Sequence, residues 1–453
     1  MNPFSARPLW QRFAIFLVPL MASNILQALS GTVNSIYVGQ MIGVEALAAI
    51  ATYFPLIFLL MSFMIGLSAG ATTLIGQAWG ARDIAKVKVI AGSAFAATIV
   101  FGLIVGVLGG TFAEQIMMAL GAPENIRDMA ISYARISLFG MPAFFLFLVA
   151  TSILRGVGDT ITPLLSLIMS MVVSLLVTPA LILGWGGLPQ LGVTAAAWAT
   201  IAGFVTVLIF LFVYMRARNM PLAPDRDLLA SILRPDWKLL RLTLKLGIPA
   251  GLQMIISSIA GIVVVGLVNR FGSDATAAYG ALGQVMSYVQ FPAMSIGIAA
   301  SIFAAQAIGA RKQDQLGPIT RTALIMNLIV TGTLVVLAYL FSEAVVALFL
   351  TDPEVVQLTE DLLRVVLWSI ICFGGSVVFS GVMRASGTVY MPMVISLFCI
   401  IGIEIPGAIW LSGTELGLRG IWIAYAASFT AMLILQAAWY QFVWKRKKIV
   451  ALV

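Results

Sequence analysis

Twelve apolar segments, each about as long as a membrane-spanning helix, occupy most of this chain. A bilayer's hydrocarbon core takes about 20 mostly apolar residues per helix. Such segments run over residues 13–38, 46–78, 88–110, 131–154, 163–185, 192–215, 244–268, 276–308, 321–350, 363–383, 390–411 and 418–443. The second and eighth are long enough to tilt or to project beyond the bilayer. Gly109-Gly110, Gly186-Gly187 and Gly272-Ser273 punctuate turns between spans. The first segment is too long for a signal-peptide core and reads as a retained span. Composition agrees, because 61% hydrophobic and 10% charged residues cannot coat a soluble protein of 453 residues. The expected fold is all-α: a polytopic membrane protein with twelve transmembrane helices.

Basic residues give the orientation. With the N-terminus in the cytoplasm, 21 of the 26 Lys and Arg fall on cytoplasmic segments. Only Arg127, Arg135, Arg270, Arg364 and Arg419 fall outside. That asymmetry is the positive-inside pattern, with both termini cytoplasmic. The net charge of +8 is therefore a topology signal, and nucleic acid is not an expected partner. The chain has no histidine, which excludes His-based acid–base chemistry and His metal ligands. Cys372 and Cys399 lie in apolar runs and read as inert core thiols. No enzyme-like cluster, metal site or cofactor is expected. Arg82 with Asp83 and Arg155 with Asp159, at the cytoplasmic helix ends, read as loop-anchoring pairs rather than chemistry.

The chain repeats itself. QAWGAR at 77–82 returns as QAIGAR at 306–311, an offset of 229. At the same offset Arg155, Gly158 and Pro163 map onto Arg384, Gly387 and Pro392, and Gly43 maps onto Gly272. Six helices per copy is an even number, so both copies insert in the same orientation, a parallel repeat. The expected division is an N-lobe at 1–215, a cytoplasmic linker at 216–243 and a C-lobe at 244–453, with a substrate path between the lobes.

These motifs resemble the multidrug and toxic compound extrusion (MATE) family of the MOP flippase superfamily. The family pattern VGxxG…ALAA…P…GxxxGxxxLxxQxxGAxD is met by Val38-Gly39, Gly43, Ala46-Leu47-Ala48-Ala49, Pro55, Gly66, Gly70, Gln77, Gly80, Ala81 and Asp83. RGVGDTITP at 155–163 and LGVTAAAWAT at 191–200 match two further family stretches. The resemblance spans essentially the whole chain. It implies two six-helix bundles around a V-shaped cavity. It also implies export of cationic or amphiphilic organic molecules in exchange for H+ or Na+, from the bacterial inner membrane. The expected form is a monomer among membrane lipid, with small amphiphilic cargo and no cofactor beyond the coupling ion.

An ion-coupled exporter needs a group whose occupancy by an ion alters its contacts, and inside a membrane that is an ionisable residue facing a cavity. The family's first-span Asp, in V-D-x-x-x-x-G, is here Asn34. Its fifth-span N-x-x-x-D-P reads Ser174…Thr178-Pro179. The seventh and tenth spans also lack an acid. One acid lies deep in a span: Glu404, two residues before Pro406 in the eleventh, the repeat partner of the fifth. An acid at mid-membrane costs about 2.5–3.5 kcal/mol on insertion scales. Two readings stand: Glu404 is the coupling carboxylate moved to the C-lobe, or it reaches water near the outer surface.

The remaining candidates are polar or kinking. Gln27, Asn34, Tyr37, Ser174, Thr178 and Thr200 form an expected N-lobe polar patch; Gln253, Ser257, Gln284 and Tyr288 are C-lobe cavity candidates. Pro19 should kink the first span and provide a gate. The alternatives are a flippase for lipid-linked or amphipathic precursors, and an uncoupled facilitator that has lost the usual aspartates. The spans hold almost no Lys or Arg to meet an anionic pyrophosphate, which disfavours the flippase.

Overall fold

The computed structural model describes residues 7–347 and 352–453, and the described residues contain helices, turns and no strand. The end of the expected ninth span, 348–350, and the first six residues of the N-lobe lie outside the described residues. The first half of the chain contains α1 (Leu9–Met41), α2 (Val44–Gly80), α3 (Ile84–Ile104), α4 (Ala113–Ala119), α5 (Arg127–Phe139), α6 (Met141–Gly156), α7 (Ile161–Leu183) and α8 (Thr194–Ala217). A short α9 (Arg226–Leu233) lies in the linker, and α10 (Trp237–Val268) follows. The second half adds α11 (Ser273–Gly309), α12 (Leu316–Leu340), α13 (Ser342–Ala347), α14 (Pro353–Val366), α15 (Ser369–Ala385), α16 (Tyr390–Cys399), α17 (Ile405–Ser412) and α18 (Leu418–Phe442).

Among the described residues, ten helical stretches are long and apolar enough to cross a membrane. The expected fourth and tenth spans are each a bent pair, α5 with α6 at 50° and α14 with α15 at 43°, which brings the number to twelve. Continuous apolar sequence hid these bends. The breaks fall at Gly140, two residues before Pro142, and at Leu367-Trp368.

The backbone groups into two units. One comprises residues 22–248, and the other comprises residues 7–21 with 249–453. In the first, α2 packs on α3, α5 and α6, α6 on α8, and α7 on α8. In the second, α11 packs on α12, α14 and α15, α15 on α18, and α17 on α18. The neighbour pattern is the same in both, so the sequence repeat is a repeat of packing. The linker helix α9 lies against α3 in the first unit. The second unit's core includes Phe13, Phe16 and Leu20 of α1 packed with Phe303 and its neighbours on α11. Pro19 and Pro249 sit beside the two points at which the chain passes from one unit to the other.

Close approach of helices depends on small residues, as expected where lipid offers no hydrophobic drive for association. A Cβ on Gly70 would lie 2.2 Å from the carbonyl oxygen of Thr243, and one on Gly247 would lie 2.3 Å from that of Gly66. The repeated QAxGAR motif has a conformational cause. Arg82 and Arg311 both end a long helix in the left-handed region, at φ 60° and 58°. The following residues bond back into the helix, Asp83 N–H to Ala78 C=O and Lys312 N–H to Ala307 C=O. The expected Arg–Asp loop pairs are absent among the described residues. Asp83 instead caps α3 by accepting from the Lys86 N–H, and Asp159 accepts from the Ile161 and Thr162 N–H groups. A carboxylate beside free helix-start N–H groups satisfies orphan donors better than a solvated ion pair does.

Candidate functional site

Glu404 ends a five-residue π-helical turn, Ile400–Glu404, between α16 and α17. Pro406 has no N–H to give to the preceding turn, so the helix loses a bond where the π turn widens it. The turn aims the Glu404 side chain into the second unit, where it is 4% exposed. The reading in which it reaches water at the outer surface does not match that burial. Its neighbours on α18 are Tyr425 and Ser428. Ser428 donates to the carbonyl of Cys399 at 3.2 Å. Tyr279 of α11 lies within electrostatic reach of the carboxyl group. An aromatic cluster lies beside it, with Tyr279 stacked on Trp422 at 5.6 Å and Trp422 tilted against Tyr425 at 5.4 Å between ring centroids. The buried indole N–H of Trp422 has no hydrogen-bond partner.

Ser428 has one hydroxyl proton, and it goes to the Cys399 carbonyl. Glu404 is left as a buried acid inside a span, at a helix distortion.

In the first unit, Thr178 is fully buried and its hydroxyl donates to the Asn34 side-chain oxygen at 3.3 Å. The two positions that replace the family's aspartates thus meet each other. Gln27, Tyr37 and Ser174 make no hydrogen bond to this pair among the described residues. Thr200 belongs elsewhere, in a cavity of about 110 Å³ with Tyr53, Tyr133, Ser137, Phe144 and Phe204. Its own hydroxyl is spent on the Ala196 carbonyl at 2.8 Å. The Tyr53 hydroxyl is buried beside that cavity with no partner, and Tyr53 meets Tyr133 edge to face at 5.7 Å. The expected patch is therefore two sites, an amide–hydroxyl pair and an aromatic cavity. In the second unit, Gln253 is half-buried, Ser257, Gln284 and Tyr288 are exposed, and none bonds to another among the described residues. Tyr279, Tyr425, Ser428 and Tyr53 were not singled out by sequence, since aromatics and serines in apolar helices carry no local signal.

The MatE family model matches residues 19–180 and again 249–410, two copies offset by 230 residues. The chain belongs to the MatE family. It is 44% identical over 98% of its length to the "Probable multidrug resistance protein YoeA" of Bacillus subtilis (strain 168), covering 96% of that protein. It is 24% identical to the "Multidrug export protein MepA" of Staphylococcus haemolyticus (strain JCSC1435), over 90% of each chain. A structure described as an outward-facing multidrug resistance MATE family transporter superposes with a TM-score of 0.86 at 21% identity, covering 97% of this chain and 95% of that one. A MOP superfamily transporter from Pyrococcus furiosus gives 0.85 at 22% identity with the same coverage. This MatE protein is accordingly a multi-pass membrane transporter, not an enzyme.

Proposed function

We propose that this transporter exports cationic or amphiphilic organic compounds by alternating access, driven by protons that bind and leave Glu404. Efflux of drug-like molecules is suggested by relatives named for multidrug resistance and export over nearly the whole chain. Glu404 carries the coupling reading: it is a buried intramembrane acid, with Tyr425 and Ser428 beside it. A proton suits that cluster better than Na+, because it offers one carboxylate and two hydroxyls rather than a cage of oxygens. The N-lobe pair Asn34–Thr178 has no titratable group, so in this reading it meets cargo and does not carry the ion. The aromatic cavity at Thr200 suits the face of a flat or cationic cargo. Pro19 and Pro249, beside the two crossover points, are the natural bends for a rocking movement. The charge asymmetry supports cytoplasmic termini, and the family resemblance implies the bacterial inner membrane.

The test is dye efflux in proteoliposomes under an imposed pH gradient, with a Na+ gradient as the second arm. Wild type should accumulate cargo against its gradient with a pH difference and not with Na+. Glu404→Gln should lose at least tenfold of the proton-driven rate and keep downhill exchange. Full proton-driven export by Glu404→Gln would overturn the role of Glu404, and no response of wild type to either gradient would favour an uncoupled facilitator.

A further inference from the structure

The linker carries a surface that cargo movement does not explain. Asp225 caps α9 by accepting from the Leu228 N–H at 3.0 Å, and it pairs with Lys88 of α3. Behind it Ser231 packs on Gly92, and the Asp236 N–H donates to Ser93 at 3.0 Å. Leu228 points inward and is buried, which fixes the opposite side of the helix outward. The exposed residues of α9 include Leu229 at 49% and Leu233 at 82%, beside Arg226 and Asp227, and Trp237 at the start of α10 is 75% exposed. The three apolar residues stand in the most charged segment of the chain. Arg216, Arg218, Arg226, Arg234, Lys238 and Arg241 are all exposed, and none makes an ion pair among the described residues. A loop facing water has no use for an exposed Leu, Leu and Trp in sequence. A helix lying at headgroup depth does, with Trp at the interface and basic residues toward anionic lipid.

Beside this surface the first unit holds an apolar cavity of about 160 Å³. Its walls include Phe95, Ala150, Leu211 and Leu222, and it reaches Phe212 and Leu229, both about half exposed. Apolar cavities of about 150 Å³ stay dry and admit a benzene-sized group, so this one takes a short length of acyl chain. Pro224 also lines the cavity, and the Arg216 guanidinium donates to its carbonyl at 3.2 Å. Among the described residues that guanidinium has no other hydrogen-bond partner, so its remaining donors suit a phosphate. Arg226 follows two residues after Pro224.

We propose that the junction of α8, α9 and α3 binds an anionic phospholipid, with an acyl chain in the cavity and the phosphate on Arg216 and Arg226. Leu229, Leu233 and Trp237 then seat the linker helix in the same leaflet. The occupant is lipid and not a soluble partner because an apolar cavity, exposed apolar side chains and unpaired basic residues meet at one membrane edge.

The test is native mass spectrometry of the full-length protein in detergent, titrated with phosphatidylglycerol or phosphatidylcholine of identical chains. Wild type should retain phosphatidylglycerol about tenfold over phosphatidylcholine, in line with two basic side chains near a charged headgroup. Arg216→Gln with Arg226→Gln should abolish that preference. Ala150→Phe, which fills the cavity, should lower retention of both lipids. Should it not fold, Leu229→Gln at the mouth tests the same step, with melting temperature as the check on folding. Equal retention of the two lipids by wild type overturns the proposal. So does a preference that survives the arginine changes, or one that is removed instead by Lys445→Gln with Lys447→Gln.

Discussion

At the residue scale the informative positions are polar groups held by a partner from another helix. Ser428 of α18 donates to the Cys399 carbonyl at 3.2 Å and lies beside Glu404. Ser428→Ala leaves that carbonyl without its donor and should cost about 1 kcal/mol of stability; an unchanged melting temperature in detergent would show that the bond carries no weight. Asp225, held by Lys88 of α3, is a second such position. The Lys88 ammonium, then the Leu228 N–H, hold its carboxyl below the ordinary aspartate range. A carboxyl lowered on folding contributes stability above its unfolded pKa and loses it as pH falls through the folded value. The attachment of α9 should therefore be intact at neutral pH and loosen only in acid below the usual aspartate range. The side chain is 42% exposed, which limits the pair to about 0.2–1 kcal/mol. Asp225→Asn keeps the helix cap and should show only that small loss, whereas Asp225→Ala should lose about 1 kcal/mol more. Hydrogen exchange of the 226–233 amides against pH reads both.

At the element scale, helix contacts in this protein are decided by which glycines are covered. Gly70 sits under the Thr243 carbonyl, so Gly70→Ala forces two backbones apart and should cost about 3 kcal/mol or more. Gly280 is also in a helix but has nothing within 4 Å of an added Cβ, so Gly280→Ala should be neutral or stabilise by up to about 1 kcal/mol. Thermal unfolding in detergent compares the two, and similar losses would refute the packing argument. Both residues look alike in sequence. Hydropathy located most spans to within a few residues, because each must cover the same hydrocarbon thickness, but the tenth begins at Pro353, ten residues before its expected start. It missed the 50° and 43° bends, since a broken pair and a straight helix expose the same apolar surface to lipid. It also read residues 216–243 as a polar linker, and the eight-residue α9 in it is too short to show a period.

At the scale of the whole molecule, the repeat is the dominant fact. The same helix neighbours recur in both units, and the family match recurs at an offset of 230 residues. An even number of spans per copy makes the linker and both termini share one side. Impermeant thiol reagents on whole cells should leave cysteines at 226 and 448 unlabelled and label one at 415; labelling at 226 would invert the proposed orientation. The chain order of apolar segments, the parallel repeat, the side that carries positive charge and the presence of a single deep acid were all determined by sequence alone, because each depends on counting residues along one dimension. Tertiary structure alone decided which candidates share a site. It joined Asn34 to Thr178 across 144 positions, sent Thr200 to a separate cavity, and surrounded Glu404 with α18 and α11 side chains. The physical reason is that a buried polar group takes its partner from whichever helix packs beside it. In an apolar chain that neighbour is chosen by small residues and bends, which leave no mark in hydropathy.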